Sequence, residues 1–178
     1  MKTKKLIAIF FLSLLFNLCA QNNDPIIYEL KSEYLVNPIG LDNKKPRLSW
    51  KIKDSRRGAI QKSYEISVGT DSVKVALGKG SHWNTGKIDK DKQLVIYNGN
   101  KLEAYHKYYW SVKVWGIDNK EIRANYIASF EMGMIDIKNW KGSWISDSRD
   151  IHKKESPYFR KEFNIKKKIK RARVYIAT

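Results

Sequence analysis

From Lys107 to Trp115 apolar and polar residues alternate, with Tyr108, Trp110, Val112 and Val114 on one face and Ser111 and Lys113 on the other. A period of two over this length predicts a strand with one buried side. Leu102 and Tyr108, six residues apart, stand at its entrance. A Tyr in that place predicts a tyrosine corner, its hydroxyl bonded to upstream backbone while the ring packs. The alternation recurs along the chain. Residues 27–36 predict a first edge strand, ended by Asn37-Pro38-Ile39-Gly40-Leu41-Asp42, where Pro38 removes a donor that an edge can spare. Residues 47–52 place Leu48, Trp50 and Ile52 on one face, and residues 61–68 place Tyr64, Ile66 and Val68 inward with Ser63, Glu65 and Ser67 outward. The stretch 69–92 breaks the pattern, with a short strand expected at 73–77 and a loop carrying Trp83-Asn84-Thr85-Gly86. Residues 94–97 predict another short strand before the Asn98-Gly99 turn signal, and 127–132 a last one, with Ala128, Phe130 and Met132 inward and Glu131 outward.

Seven short alternating segments with turn signals between them predict an all-β, immunoglobulin-like antiparallel sandwich over 27–133. Beyond Gly133 a linker over 134–157 leads to two further alternating segments, at 158–165 and 171–178. Two strands bury no core of their own, so 158–178 reads as the truncated start of a second, jelly-roll-like β-sandwich.

The amino terminus has a different pattern. Lys2, Lys4 and Lys5 precede an uncharged apolar run from Leu6 to Phe16, and small Ala20 and polar Gln21-Asn22-Asn23-Asp24 follow. This predicts a secretory signal peptide over 1–20, a linker over 21–26, and an exported, periplasmic or extracellular product. The run is shorter than the ~20 residues a bilayer span needs. Cys19 is the single cysteine, so no disulfide framework forms; membrane anchoring would follow only from its lipidation.

Charge adds little to this picture. The formal net charge is +17 over 178 residues, but most lysines fall singly in turns or at outward strand positions, as a solvated surface requires. Lys166-Lys167-Lys168 and the following Lys170, Arg171 and Arg173 read as a turn and an outward strand face. Neither a recognition helix nor stacking aromatics accompany them, and no nucleic-acid partner is expected. Asp89 and Asp91 lie among Lys87, Lys90 and Lys92 and read as solvated ion pairs. His82, His106 and His152 are scattered, which predicts no metal site and no cofactor. Gly78-Lys79-Gly80 lacks the strand-to-helix setting of a phosphate loop.

The runs Asn37-Pro-Ile-Gly-Leu-Asp42, Pro46-Arg-Leu-Ser-Trp50, Arg57-Gly58 with Gln61, Trp83-Asn-Thr-Gly-Lys87, Tyr108-Tyr-Trp-Ser-Val-Lys-Val-Trp115 and Phe130-Glu-Met-Gly133 occur in this order. Together they resemble the amino-terminal region of bacterial α-L-rhamnosidases of glycoside hydrolase family 78. The resemblance implies a fibronectin type III-like sandwich over 27–133, with Trp140–Ile145, Pro157–Phe163 and Arg171–Ile176 opening a second sandwich. It also implies that the whole enzyme removes terminal α-linked rhamnose with inversion, using two carboxyl groups in a downstream helical barrel. Such chemistry needs an acid and a base ~6.5–9.5 Å apart. None of the barrel's residues maps onto this chain, so no catalytic residue is carried over. The partners implied are the downstream domains and, through the whole protein, rhamnose-containing glycans.

Six tryptophans remain. Trp50 and Trp110 lie on inward faces and, with Tyr108, are expected core residues. Trp83, Trp115, Trp140 and Trp144 fall in loops or outward positions, as candidate contacts with sugar or with a neighbouring domain. The expected function is a non-catalytic accessory segment, inactive alone. The alternatives are a freestanding carbohydrate-binding or adhesion module and a basic anion-binding protein.

Overall fold

The alternating residues of the chain pair into two largely antiparallel sheets that close over their apolar faces. The computed structural model describes residues 24–147, 152, 156–169 and 171–176. The signal peptide expected over 1–20, with Cys19, lies outside the described residues. The described residues fall into two units, divided between Trp140 and Lys141.

In the first unit β1 (Ile26–Ser32), β3 (Arg47–Lys53) and β6 (Leu94–Ile96) form a three-stranded sheet in the order β1-β3-β6. The larger sheet runs β2 (Ile39–Leu41), β9 (Ala128–Met132), β7 (Lys107–Gly116), β4 (Gln61–Gly69) and β5 (Trp83–Asn84), and β8 (Glu121–Arg123) also pairs with β7. β7 is the centre of this sheet, meeting β4 over nearly its whole length and dividing its other edge between β9 and β8. Its burial alternates without a break, as its sequence predicts.

Leu48 and Trp50 from the small sheet pack with Ile66, Val68, Tyr108, Trp110, Val112, Val114, Phe130 and Met132 from the large one. Trp50 and Tyr64 meet at 5.5 Å between ring centroids, and the Trp50 indole N–H donates to Gln61 Oε1 at 3.0 Å. The Trp110 indole N–H donates to Ser32 Oγ at 3.1 Å, a buried bond that ties the large sheet to β1. Trp50, Tyr108 and Trp110 are buried.

Four expectations are corrected. Residues 73–77 do not form a strand: α1 (Ser72–Ala76) starts there because Asp71 accepts from the N–H groups of Val73 and Lys74, a side-chain cap that satisfies free helix donors. Ser63 and Ser67, on the outward face of β4, are buried, and Glu65 is half-buried. The outer side of the large sheet is covered in part by α1, whose Val75 carbonyl accepts from Ser111 Oγ, and by the 78–84 loop, whose Gly80 N–H donates to Ser67 Oγ. Glu131, placed outward on β9 by the alternation, is 2% exposed. Asn98-Gly99 does not close a hairpin, since β6 and β7 belong to different sheets. Glycine is needed there for close approach: a Cβ would lie 2.5 Å from His82 O and from Trp83 Cβ.

The turn after β1 is set by charge. Glu33 accepts from Arg47 Nη2 at 2.5 Å, from Arg47 Nε at 3.0 Å and from the Arg47 backbone N–H at 2.6 Å. These bonds, the Arg47 guanidinium first, hold the Glu33 carboxyl below its ordinary value of 4.5. A carboxyl depressed on folding contributes stability that is fully present above its unfolded pKa and is lost as pH falls through the folded one. Urea midpoints measured downward from pH 6 should therefore begin to fall below about pH 4.5. Glu33→Gln should flatten that acid limb while leaving the near-neutral slope unchanged.

In the second unit the expected strands 158–165 and 171–178 form no ladder among the described residues. Alternation says which side chains share a face, and it does not supply the partner strand that ladder bonds require. Phe163, Val174 and Ile176 are exposed. Arg160 and Glu162 form an ion pair.

Candidate functional site

Trp83 and Trp115, two of the tryptophans expected to meet sugar or a neighbouring domain, do not share one surface. Trp83 lies opposite Val68 on β4, and Trp115 lies opposite Ser63. Five residues of strand put these positions about 17 Å apart and, five being odd, turn the side chains to opposite faces. Trp83 thus points inward against the core from the short strand β5, its ring edge-on to Tyr97 at 5.2 Å, which corrects its placement in a loop. Trp115 points outward but is half-buried, with Lys87 Nζ 4.7 Å from its ring centroid. The ammonium occupies a ring face that a stacked sugar would use. Trp140 ends the 3-10 turn Ile137–Asn139 and is partly buried. Trp144, in the second unit, is 82% exposed.

What the fold does bring together lies at the entrance to β7. The Glu103 N–H donates to the Tyr108 hydroxyl at 2.9 Å, the tyrosine corner that the sequence predicts. The Tyr108 ring stacks on Phe130 at 5.5 Å and meets His82 edge-on at 4.9 Å. Tyr97 donates its hydroxyl to the Asn100 carbonyl at 2.6 Å, and burial pushes its phenol up to about 12. With both tyrosines fixed, the segments 97–104 and 135–139 become the walls of an open cleft of about 540 Å³.

Leu102, Ala104 and Ile135 give this cleft an apolar floor, and Lys44, Lys45, Lys101 and Lys138 line it. The Lys45 ammonium donates to Asn98 Oδ1 at 3.1 Å. Lys44, Lys101 and Lys138 have no ion-pair partner among the described residues, unlike Arg47, Lys51, Arg56 and Lys113. Two carboxylates, Glu103 and Asp136, also line the cleft. Asp136 Oδ1 accepts the Lys138 N–H at 3.0 Å, and Glu103 lies 3.4 Å from His106 Nε2.

The lysines escape a strand-by-strand reading because they sit in three separate turns, after β2, after β6 and after β9. The signal that finds them is topological: those three turns gather at one end of the sandwich. The remaining candidates stay apart. Asp89 and Asp91 are exposed loop residues, and His82 and His106 contact Ser81 and Ala104 rather than each other. Among the described residues no three His, Cys, Asp or Glu side chains gather as a metal site, and no helix is long and apolar enough to cross a membrane.

Comparison with known proteins matches residues 27–136 to the family described as "Rha78A-like, N-terminal immunoglobulin domain". An alpha-L-rhamnosidase of Formosa agariphila is 30% identical over 176 residues, covering 86% of this chain and 18% of that protein. Among solved structures, the alpha-L-rhamnosidase from Dictyoglumus thermophilum superposes with a TM-score of 0.66 at 31% identity, covering 69% of this chain and 14% of that one. The Streptomyces avermitilis alpha-L-rhamnosidase complexed with L-rhamnose gives 0.64 at 30% identity, covering 69% and 12%. The chain therefore spans about a fifth or less of the length of the relatives it matches, in their N-terminal, non-catalytic part.

Proposed function

Because this chain belongs to the α-L-rhamnosidases through their Rha78A-like N-terminal immunoglobulin domain, we propose that it is the accessory segment of an exported enzyme that removes terminal α-L-rhamnose from glycans. In this reading the sandwich positions and stabilises the downstream domains of the same polypeptide, which are its partners, and performs no hydrolysis itself. The observation that carries it is the family match over 27–136 within relatives about five times as long.

The local chemistry supports a non-catalytic role. Inversion needs two carboxyl groups facing each other across the sugar, one of them free to activate water. In the cleft beside the tyrosine corner Asp136 caps the 3-10 turn and Glu103 lies beside His106, so neither is set opposite a free companion. Export is supported by the apolar run that follows Lys2, Lys4 and Lys5 at the amino terminus.

The test is a p-nitrophenyl α-L-rhamnoside assay on two proteins, this chain and the same chain continued through the downstream residues of its gene. The expected result is release of nitrophenol by the longer protein and none above background by this chain. Turnover by this chain alone would overturn the assignment, and so would an inactive, folded longer protein.

A further inference from the structure

The geometry points to the lysine-lined cleft at the entrance to β7 as a binding site for anionic saccharides, those carrying carboxylate or sulfate groups. The saccharide part of this inference rests on the rhamnosidase reading above; the anion part rests on the cleft alone. Four lysines from three turns line one concavity with two carboxylates, Glu103 and Asp136, a local excess of positive charge. Ammonium groups gathered in a concave, partly apolar surface repel one another, and low-dielectric walls strengthen both that repulsion and the attraction of an incoming anion. Elsewhere on the sandwich the basic side chains of Lys31, Arg47, Lys51, Arg56, Lys113 and Arg123 are answered by carboxylates of Glu29, Glu33, Asp54, Glu65, Asp118 and Glu121, while Lys62, Lys79 and Lys92 form no ion pair among the described residues; what sets the cleft lysines apart is that they share one concavity. Lys44, Lys101 and Lys138 have no such answer among the described residues, so the pairing a ligand would supply is open there.

Size and shape favour a saccharide over a nucleic acid. A volume of about 540 Å³ lies in the range of small-ligand sites and holds a few sugar rings rather than a long strand. The apolar floor of Leu102, Ala104 and Ile135 suits the C–H face of a pyranose. The aromatic ring in the lining, Tyr97, is buried and edge-on to Trp83, so it gives bases no platform to stack on. The cleft walls are also set in advance, through the Tyr97 bond to Asn100, the Tyr108 bond to Glu103 and the Asn139 Nδ2 bond to the Met134 carbonyl at 2.7 Å.

The test is titration calorimetry of this chain with an oligogalacturonate, a sulfated oligosaccharide of similar length, a neutral oligosaccharide and single-stranded DNA, each at two salt concentrations. Binding of one or both anionic saccharides is expected, weakened by salt, with none to the neutral one. A triple K44Q/K101Q/K138Q variant should bind roughly tenfold or more weakly, the combined loss of three exposed charge contacts. A control of equal charge change, K62Q/K79Q/K92Q, should bind as the parent does; all six lysines are exposed, and unchanged melting temperatures verify that both variants fold. The carboxylate and sulfate arms separate the two sources of the anion. No binding, equal loss in both variants, or DNA binding as tight as the saccharides would each overturn the site. Its failure is distinct from failure of the rhamnosidase reading, which the nitrophenyl assay decides independently.

Discussion

Trp110→Ala is expected to destabilise the sandwich by about 3–5 kcal/mol, the range for deleting a buried aromatic side chain. Trp110 is 0% exposed and occupies the middle of β7, opposite Val68 on β4 and Ala128 on β9. Its removal leaves a void that three paired strands cannot collapse into, since their spacing is held by backbone bonds. It also strips Ser32 Oγ of the donor that reaches it across the core. A small domain is stable by only about 5–15 kcal/mol, so this one substitution removes a large share. Urea denaturation followed by far-UV circular dichroism reads the change as a fall in midpoint at constant slope. Trp110→Phe separates the two causes. It keeps most of the ring volume and loses the N–H, so it should cost less than half as much; an equal cost would mean that the Ser32 bond, not packing, dominates.

Gly80→Ala should be nearly as damaging although it adds a single methyl group. A Cβ on Gly80 would stand 2.6 Å from the Val68 backbone nitrogen and 2.7 Å from Ser67 Oγ, with the Val68 carbonyl oxygen closer still. Backbone of a central strand cannot give way as the tip of a flexible side chain can. The loop must lift instead, breaking the bonds from Gly80 N–H to Ser67 Oγ and Asn84 Oδ1 and from the His82 N–H to the Val68 carbonyl. Overpacking of this kind costs roughly 2–3 kcal/mol. Hydrogen exchange should localise the loss, with faster exchange at His82 and Gly80 and little change at Val112 and Val114. Uniform acceleration across β7 would show that the loop and the sheet open together.

The strand pattern was most legible where one face is buried and the other is open. β7 satisfies that condition along its length, and both its inward set and its tyrosine corner follow from residues 102–115. Ser63, Ser67 and Glu131 show where the same rule stops. Period two assigns a residue to a face, but whether that face is then covered depends on elements such as α1 and the 78–84 loop, whose contacts are distant in sequence. Val73-Lys74-Val75 resembles a short strand until the Asp71 cap is considered, a local signal that hydrophobic alternation does not register. The lysine cleft was illegible for a related reason: each lysine is unremarkable in its own turn, and only the order of strands in the two sheets brings the turns together.

One pairing in the large sheet bears on how the segment carries tension. β2 and β9 run parallel, joined by the Glu131 N–H to the Pro38 carbonyl at 2.9 Å and the Gly133 N–H to the Leu41 carbonyl at 2.7 Å. Gly133 permits this close crossing, since a Cβ there would sit 2.6 Å from Asp42 Oδ1. A pull applied upstream of β2 and downstream of β9 draws two parallel strands in opposite directions along their common axis. Both bonds then stretch at once, as in a lap joint, instead of unzipping one after the other. The sandwich resists extension at its own seam.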